Sequence, residues 1–80
     1  MSGQTISSLS DIPLGVYVRV RELRHSGRVS RRLRELGLRE ESIVRCIQRA
    51  YGNLICEVDS SRVGITLHVA REIIVMRQEG

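Results

Sequence analysis

The sequence predicts a small, mainly β domain: a closed barrel of five short strands, with one inserted α-helix and a short helical turn before the last strand. Three observations support this fold class. The apolar residues are largely Ile, Val and Leu, with no Trp or Phe, and β-branched side chains favour strands. Most apolar residues lie in short runs separated by tight turns. Only the stretch from Val29 to Leu36 has the spacing of a helix.

The 80 residues make one domain, predicted at 9–76 between a flexible N-terminal segment, 1–8, and a solvated tail, 77–80. No run reaches the about 18 apolar residues that a membrane span needs. The polar N-terminus also lacks the apolar centre of a signal peptide. We therefore expect a cytoplasmic protein with no direct membrane insertion.

The first elements follow from turn residues and alternation. Leu9 and Ile12 bracket a short helix-starting turn, which ends at Pro13. Valines at alternate positions in 16–23 then predict a strand with one apolar and one polar face. Closing such a strand into a barrel removes exposed sheet edges.

The helix is predicted from about Arg28 to Leu36. Val29, Leu33 and Leu36 follow i, i+4, i+7 spacing and line one helical face. Gly37 stands where helices commonly stop in the left-handed conformation, and the residue after such a glycine often folds back onto the apolar face.

The second half predicts a hairpin and a closing strand. Strands are expected at 43–49, 54–59, 63–67 and 73–76, with a helical turn at 68–72. In one register of the hairpin, Cys46 and Cys56 point to the same apolar face, where free thiols behave as small hydrophobic groups. A structural disulfide is not expected in a reducing compartment.

Enzymatic and metal chemistry have little support. His25 and His68 stand in no catalytic signature, and no glycine-rich loop for phosphate is present, so we predict no enzyme and no cofactor. The two histidines and the cysteines Cys46 and Cys56 are ligand types that zinc and ferrous iron accept, but their spacing matches no metal motif. No metal site is therefore predicted.

Two short motifs and their order along the chain carry a resemblance to a known family. The motifs are Leu33-x-x-Leu36-Gly37-Leu38 after the helix and Ala70-x-x-Ile73-x-Val75 around the last turn. In this order they resemble the ferrous iron transport protein A family, the FeoA domain, over residues 9–75. The chain departs from the family pattern in turns, where Glu40-Glu41 replaces a frequent Pro-Gly.

The resemblance implies an SH3-like barrel and an accessory role in bacterial ferrous iron uptake. The implied partner is a membrane permease with a cytosolic GTP-binding domain. Docking on it would modulate transport and recruit the chain to the inner face of the membrane. The resemblance brings no catalytic residues with it. The sequence leaves open whether copies of the chain also pair weakly through a strand edge or an apolar groove.

The arginines suggest where a partner would bind. The net charge is +4, and all thirteen basic residues are arginine, which suits an acidic partner. The predicted interface residues are Arg28, Arg31, Arg32, Leu36 and Arg39. Arginine is enriched at interfaces and grips carboxylates with two hydrogen bonds. Two alternatives stay open: a plain solvated face with internal ion pairs, and a nucleic-acid-binding barrel that uses the arginine face.

Overall fold

The computed structural model describes residues 6–78, which form six strands and two α-helices. In chain order the elements are β1 (Ile6–Ser8), a 3₁₀ turn (Leu9–Asp11), β2 (Tyr17–Leu23), α1 (Gly27–Glu35), β3 (Ile43–Ala50), β4 (Asn53–Val58), β5 (Ser61–Thr66), α2 (Leu67–Ala70) and β6 (Ile73–Arg77). The predicted inserted helix and helical turn are thus confirmed as α1 and α2.

All strands pair antiparallel in one sheet, in the order β1-β6-β2-β3-β4-β5. The prediction of a closed five-stranded barrel needs correction, because there are six strands and, within residues 6–78, β1 and β5 do not pair. The extra strand, β1, reads Ile6-Ser7-Ser8 and has no apolar alternation. Its backbone pairing with β6 places β1 in the sheet. The side chains of β1 have no pattern from which this strand could be predicted.

The strand ends extend further than the predicted domain limits. Of the segment predicted as flexible, residues 1–5 lie outside the described part, whereas Ile6–Ser8 pairs with Ile74–Met76. Of the predicted tail, Arg77 ends β6 and the Gln78 N–H donates to the Tyr17 carbonyl at 2.9 Å. Residues 79–80 lie outside the described part.

The turn after α1 has the predicted glycine stop. Gly37 has φ +98°. The Gly37 N–H donates to the Arg34 carbonyl at 3.0 Å, and the Leu38 N–H donates to the Leu33 carbonyl at 2.9 Å. This pair of bonds is the Schellman arrangement. The Leu38 side chain is fully buried, so the turn fixes α1 against the sheet.

The core is aliphatic and is formed by buried side chains from the strands, the 3₁₀ turn, α1 and α2. Its largest fully buried side chains are Leu9, Leu38, Leu54, Ile73, Val18, Val20, Val44, Val58, Val75, Cys46 and Cys56. In the β3–β4 hairpin Cys46 stands directly opposite Cys56, which confirms the register in which both thiols face the core. Tyr51 at the hairpin tip has φ +53° and is fully exposed.

Candidate docking surface

A shallow groove of about 260 Å³ lies between α1, β5 and α2. Its lining is mainly apolar and consists of Val29, Arg32, Leu33, Leu36, Gly64, Ile65, Thr66 and Val69. Leu33 and Ile65 are buried and form the floor, whereas Val29, Leu36 and Val69 are half-buried and present apolar surface to the groove.

Local sequence chemistry shapes the two walls of the groove. The apolar face of α1 forms one wall because residues 29, 33 and 36 share one side of the helix. On the other wall, Gly64 leaves the middle of β5 without a side chain. The Thr66 hydroxyl accepts a hydrogen bond from the Val69 N–H at 3.1 Å and caps the start of α2.

His25 joins the two walls just before α1 begins. Its Nε2 lies 2.8 Å from the carbonyl oxygen of Val69. Because a carbonyl can only accept, Nε2 is the ring nitrogen that carries the proton. The other nitrogen, Nδ1, is buried and has no partner among the described residues. His25 therefore positions the start of α1 against α2, and this contact is structural.

The arginines around α1 differ in how they are paired. Arg34 donates to both carboxylate oxygens of Glu40, at 2.9 and 3.0 Å, and also to the Ser30 hydroxyl. A backbone hydrogen bond and the Arg34 guanidinium together lower the pKa of Glu40. The Arg32 side chain is 70% exposed, and its Nη1 lies 3.6 Å from Glu35 Oε1. This exposed ion pair contributes little to stability. The groove side of the helix thus keeps a cation exposed to solvent.

Three of the predicted interface arginines have no such partner in the described part of the chain. Arg28, Arg31 and Arg39 are exposed, and within residues 6–78 their side chains make no ion pair or hydrogen bond. Arg31 lies on the face of α1 opposite the groove, whereas Arg28 lies one turn before Arg32. Their guanidinium groups remain available to a carboxylate brought by another molecule.

The structure brings together only part of the predicted interface. Arg32 and Leu36 line the groove, and Arg28 lies next to them on α1. Arg39 lines a separate depression of about 310 Å³ with Glu40, Glu41, Ser42, Ile43 and Asp59. The assignment of these residues to an interface stays a prediction.

The second wall of the groove was not predicted from the sequence. Ile65, Thr66 and Val69 belong to a strand and a helical turn that were predicted, but nothing linked them to α1, which is about thirty residues away along the chain. The available signal was weak: Leu67 and Val69 are apolar at positions where a solvated turn would be polar.

The histidines and cysteines, which are the side-chain types that zinc and ferrous iron accept, do not form a metal site in the described part of the chain. No group of three or more His, Cys, Asp or Glu side chains comes together between residues 6 and 78. His68 is exposed on α2, and Cys46 and Cys56 are buried in the core. Within the same range, neither helix has the length and apolar character that crossing a bilayer requires.

The fold matches solved structures over almost its full length. A crystal structure of an iron uptake regulatory protein, FeoA, is 19% identical, with a TM-score of 0.84 over 92% of this chain and 99% of that chain. The FeoA protein of Chlorobium tepidum is 21% identical, with a TM-score of 0.85 over 91% of this chain and 71% of that chain.

A third match has higher identity and identifies the architecture. The FeoA of Stenotrophomonas maltophilia, complexed with zinc and described as a prokaryotic SH3 domain protein, is 27% identical, with a TM-score of 0.70 over 85% of this chain and 87% of that chain. The fold is thus SH3-like, as the sequence resemblance implied. No curated protein matches the chain. The FeoA domain model matches residues 7–77, and the chain therefore belongs to the FeoA domain family.

Proposed function

We propose that this chain is an accessory protein of bacterial ferrous iron uptake, which docks on the cytosolic part of the ferrous iron permease and modulates transport. Membership of the FeoA family, which is associated with ferrous iron transport and is not a known enzyme family, supports the general role. The Stenotrophomonas maltophilia protein is described as a candidate activating factor of that transport.

The observation that carries the docking proposal is the combination of an apolar groove with solvent-exposed arginines at its rim. Val29, Leu36 and Val69 offer apolar contact, and Arg28 and Arg32 stand beside it. The matching surface is an acidic segment with apolar side chains. We propose that the cytosolic part of the permease carries that segment: membership of the FeoA family supports a role beside the transporter, and a net charge of +4 favours an acidic partner.

Modulation then follows from ordinary linkage. If one conformation of the permease presents the acidic segment better than another, docking favours that conformation. The effect cannot exceed the difference in docking affinity between the two conformations. Docking would also hold the chain at the inner face of the membrane.

The test is a calorimetric titration of the permease's cytosolic GTP-binding domain with the parent chain and with the double variant Arg28→Glu/Arg32→Glu. Loss of two charge-assisted hydrogen bonds, each contributing about 1.5–3 kcal/mol, should weaken binding at least ~100-fold. Binding of the parent chain should also weaken as salt is added.

A matched control distinguishes the effect of the α1 surface from the effect of net charge. The variant Arg21→Glu/Arg77→Glu makes the same charge change on β2 and β6, away from the groove lining. It should bind close to the parent at equal salt. Equal loss in both variants would show that net charge alone drives association, and no loss in either would remove the rim arginines of α1 from the interface.

The nucleic-acid alternative is tested in the same series. Single-strand binders stack bases on aromatic rings. Here the Tyr17 ring is covered by the Arg45 guanidinium at 5.0 Å, and Tyr51 stands at the hairpin tip, so neither lines the groove. A gel shift with mixed RNA and DNA at physiological salt should show no complex. A shift that the α1 double variant abolishes would favour the alternative.

A further inference from the structure

Two buried thiols touch in the core, and the docking surface does not use them. Cys46 on β3 and Cys56 on β4 are directly paired across the hairpin, and their sulfur atoms lie 2.8 Å apart. Their side chains are 1% and 0% exposed. Both are free thiols.

The backbone already has the separation that a disulfide needs. Directly opposed residues of an antiparallel pair have Cα atoms about 4.5–5.5 Å apart, which lies inside the about 4.4–6.8 Å range of disulfides. The two sulfurs need to approach by less than an ångström to reach a bond length of about 2.05 Å. The ladder shifts register between Cys46 and Gln48, so β3 carries a bulge beside the pair. A bulge bends its strand locally and increases its twist.

We propose that Cys46 and Cys56 are a modification site, at which a small disulfide compound reversibly introduces an intramolecular disulfide. The Cys46 thiolate attacks one sulfur of the compound and releases one thiolate. The Cys56 thiol loses its proton, attacks the Cys46 sulfur of the mixed disulfide and releases the second thiolate. Two protein thiols are oxidised, and one small disulfide is reduced to two thiols.

The surroundings assign the two roles. Either sulfur can donate the hydrogen bond between the thiols. With Cys56 as donor, this bond lowers the pKa of Cys46 against the opposing effect of burial, and the nearby Arg49 guanidinium acts in the same direction as the bond. The same hydrogen bond, together with burial, raises the pKa of Cys56. The thiolate is the attacking species in exchange, so Cys46 is the first nucleophile and Cys56 closes the bond.

Access requires local opening, and the sheet order indicates where it occurs. Cys56 also pairs with Val63 on β5, which is the last strand of the sheet and has a neighbour on one side. Proteins open locally at free energies below that of global unfolding, and opening of β5 would uncover the touching sulfurs of Cys56 and Cys46 from the Cys56 side. Exchange should therefore be slower in the folded chain than in the unfolded chain, and it should not require global unfolding.

The experiment incubates the full chain with bis(2-hydroxyethyl) disulfide in native buffer, while circular dichroism monitors the fold. The expected product is a monomer that has lost two hydrogen atoms and both titratable thiols. Trypsin cleaves after Arg45, Arg49 and Arg62, so the product should yield peptide 46–49 linked to peptide 50–62. A reductant should separate them, and the oxidised chain should melt at a higher temperature, since the bond constrains the unfolded chain.

Single variants test the order of attack. Cys56→Ala should collect a mixed disulfide at Cys46, whereas Cys46→Ala should react more slowly. If either variant fails to fold, the peptide map of the parent chain decides alone. The proposal is overturned if the folded parent keeps both thiols, gives only adducts or dimers, or forms the bond only at denaturant concentrations that unfold it.

Discussion

Gly37 illustrates how one residue sets the geometry between a helix and the sheet. Its φ of +98° lies in the left-handed region, which side chains disfavour by about 1–2 kcal/mol. That conformation turns the chain so that the N–H of Leu38 reaches back to Leu33. A Cβ at position 37 would meet Val58 at 3.5 Å, an ordinary contact, so the conformation and not space requires glycine.

We therefore predict that Gly37→Ala destabilises the chain by about 1 kcal/mol or more, measured as the free energy of unfolding in urea. The matched control is Gly27→Ala at the first residue of α1. A Cβ there meets nothing within 4 Å and φ lies outside the left-handed region, so alanine should be neutral or mildly stabilising. Equal losses at the two positions would contradict the left-handed explanation.

At the scale of elements, two leucines at the end of α1 differ in what covers them. Leu33 is 3% exposed and belongs to the core, whereas Leu36 is half-buried and lines the groove. The helix therefore joins the interior to the surface within one turn. Sequence spacing placed both residues on the same face, but it could not distinguish which one the rest of the fold would cover.

This difference predicts separate effects of two leucine truncations. Leu33→Ala should cost about 2–5 kcal/mol of unfolding free energy, because it leaves a core cavity. Leu36→Ala should cost distinctly less in stability and instead weaken docking on the permease domain. Urea denaturation and calorimetric binding of both variants check this. A Leu36 variant that binds like the parent would remove that side chain from the interface.

The elements that the sequence predicted are those with a strong local pattern. The alternating valines of β2 and the helical spacing of α1 depend only on neighbours a few residues apart. The strand β1 was missed because Ile6-Ser7-Ser8 has no such pattern and is held by backbone pairing with β6. For a related reason, only the α1 wall of the groove was predicted. The second wall comes from β5 and α2, which are far from α1 in the sequence and meet it only in the folded chain.

For the whole molecule, two carboxylates paired with arginines make the free energy of unfolding depend on pH. Glu57 accepts from Arg45 at 2.6 Å, and this hydrogen bond lowers the pKa of the carboxyl. The pKa of Glu40 is lowered as well. A carboxyl whose pKa is lower in the folded state stabilises the fold above its unfolded value, about 4.3, and loses that contribution as the pH falls through the folded value. Protonation also increases the positive charge of a chain that already carries +4 at neutral pH.

The melting temperature should therefore fall as the pH drops below about 4.3, and Glu57→Gln should flatten this fall. The variant should be less stable than the parent at pH 7 and approach it in acid. Glu35→Gln is the matched control, because its partner is 3.6 Å away and both side chains are exposed. Melting curves of all three chains between neutral and acid pH decide. Parallel curves for the parent and the Glu57 variant would contradict the assignment.

The fully exposed side chain at the β3–β4 tip has a practical consequence. Tyr51 is surrounded by solvent and lies outside the groove lining, while Cys46 and Cys56 are buried. A cysteine introduced by Tyr51→Cys would be the one thiol that a maleimide dye reaches quickly. The anisotropy of a fluorophore attached there would report the tumbling of the domain. The label would leave α1 and the groove accessible to a partner.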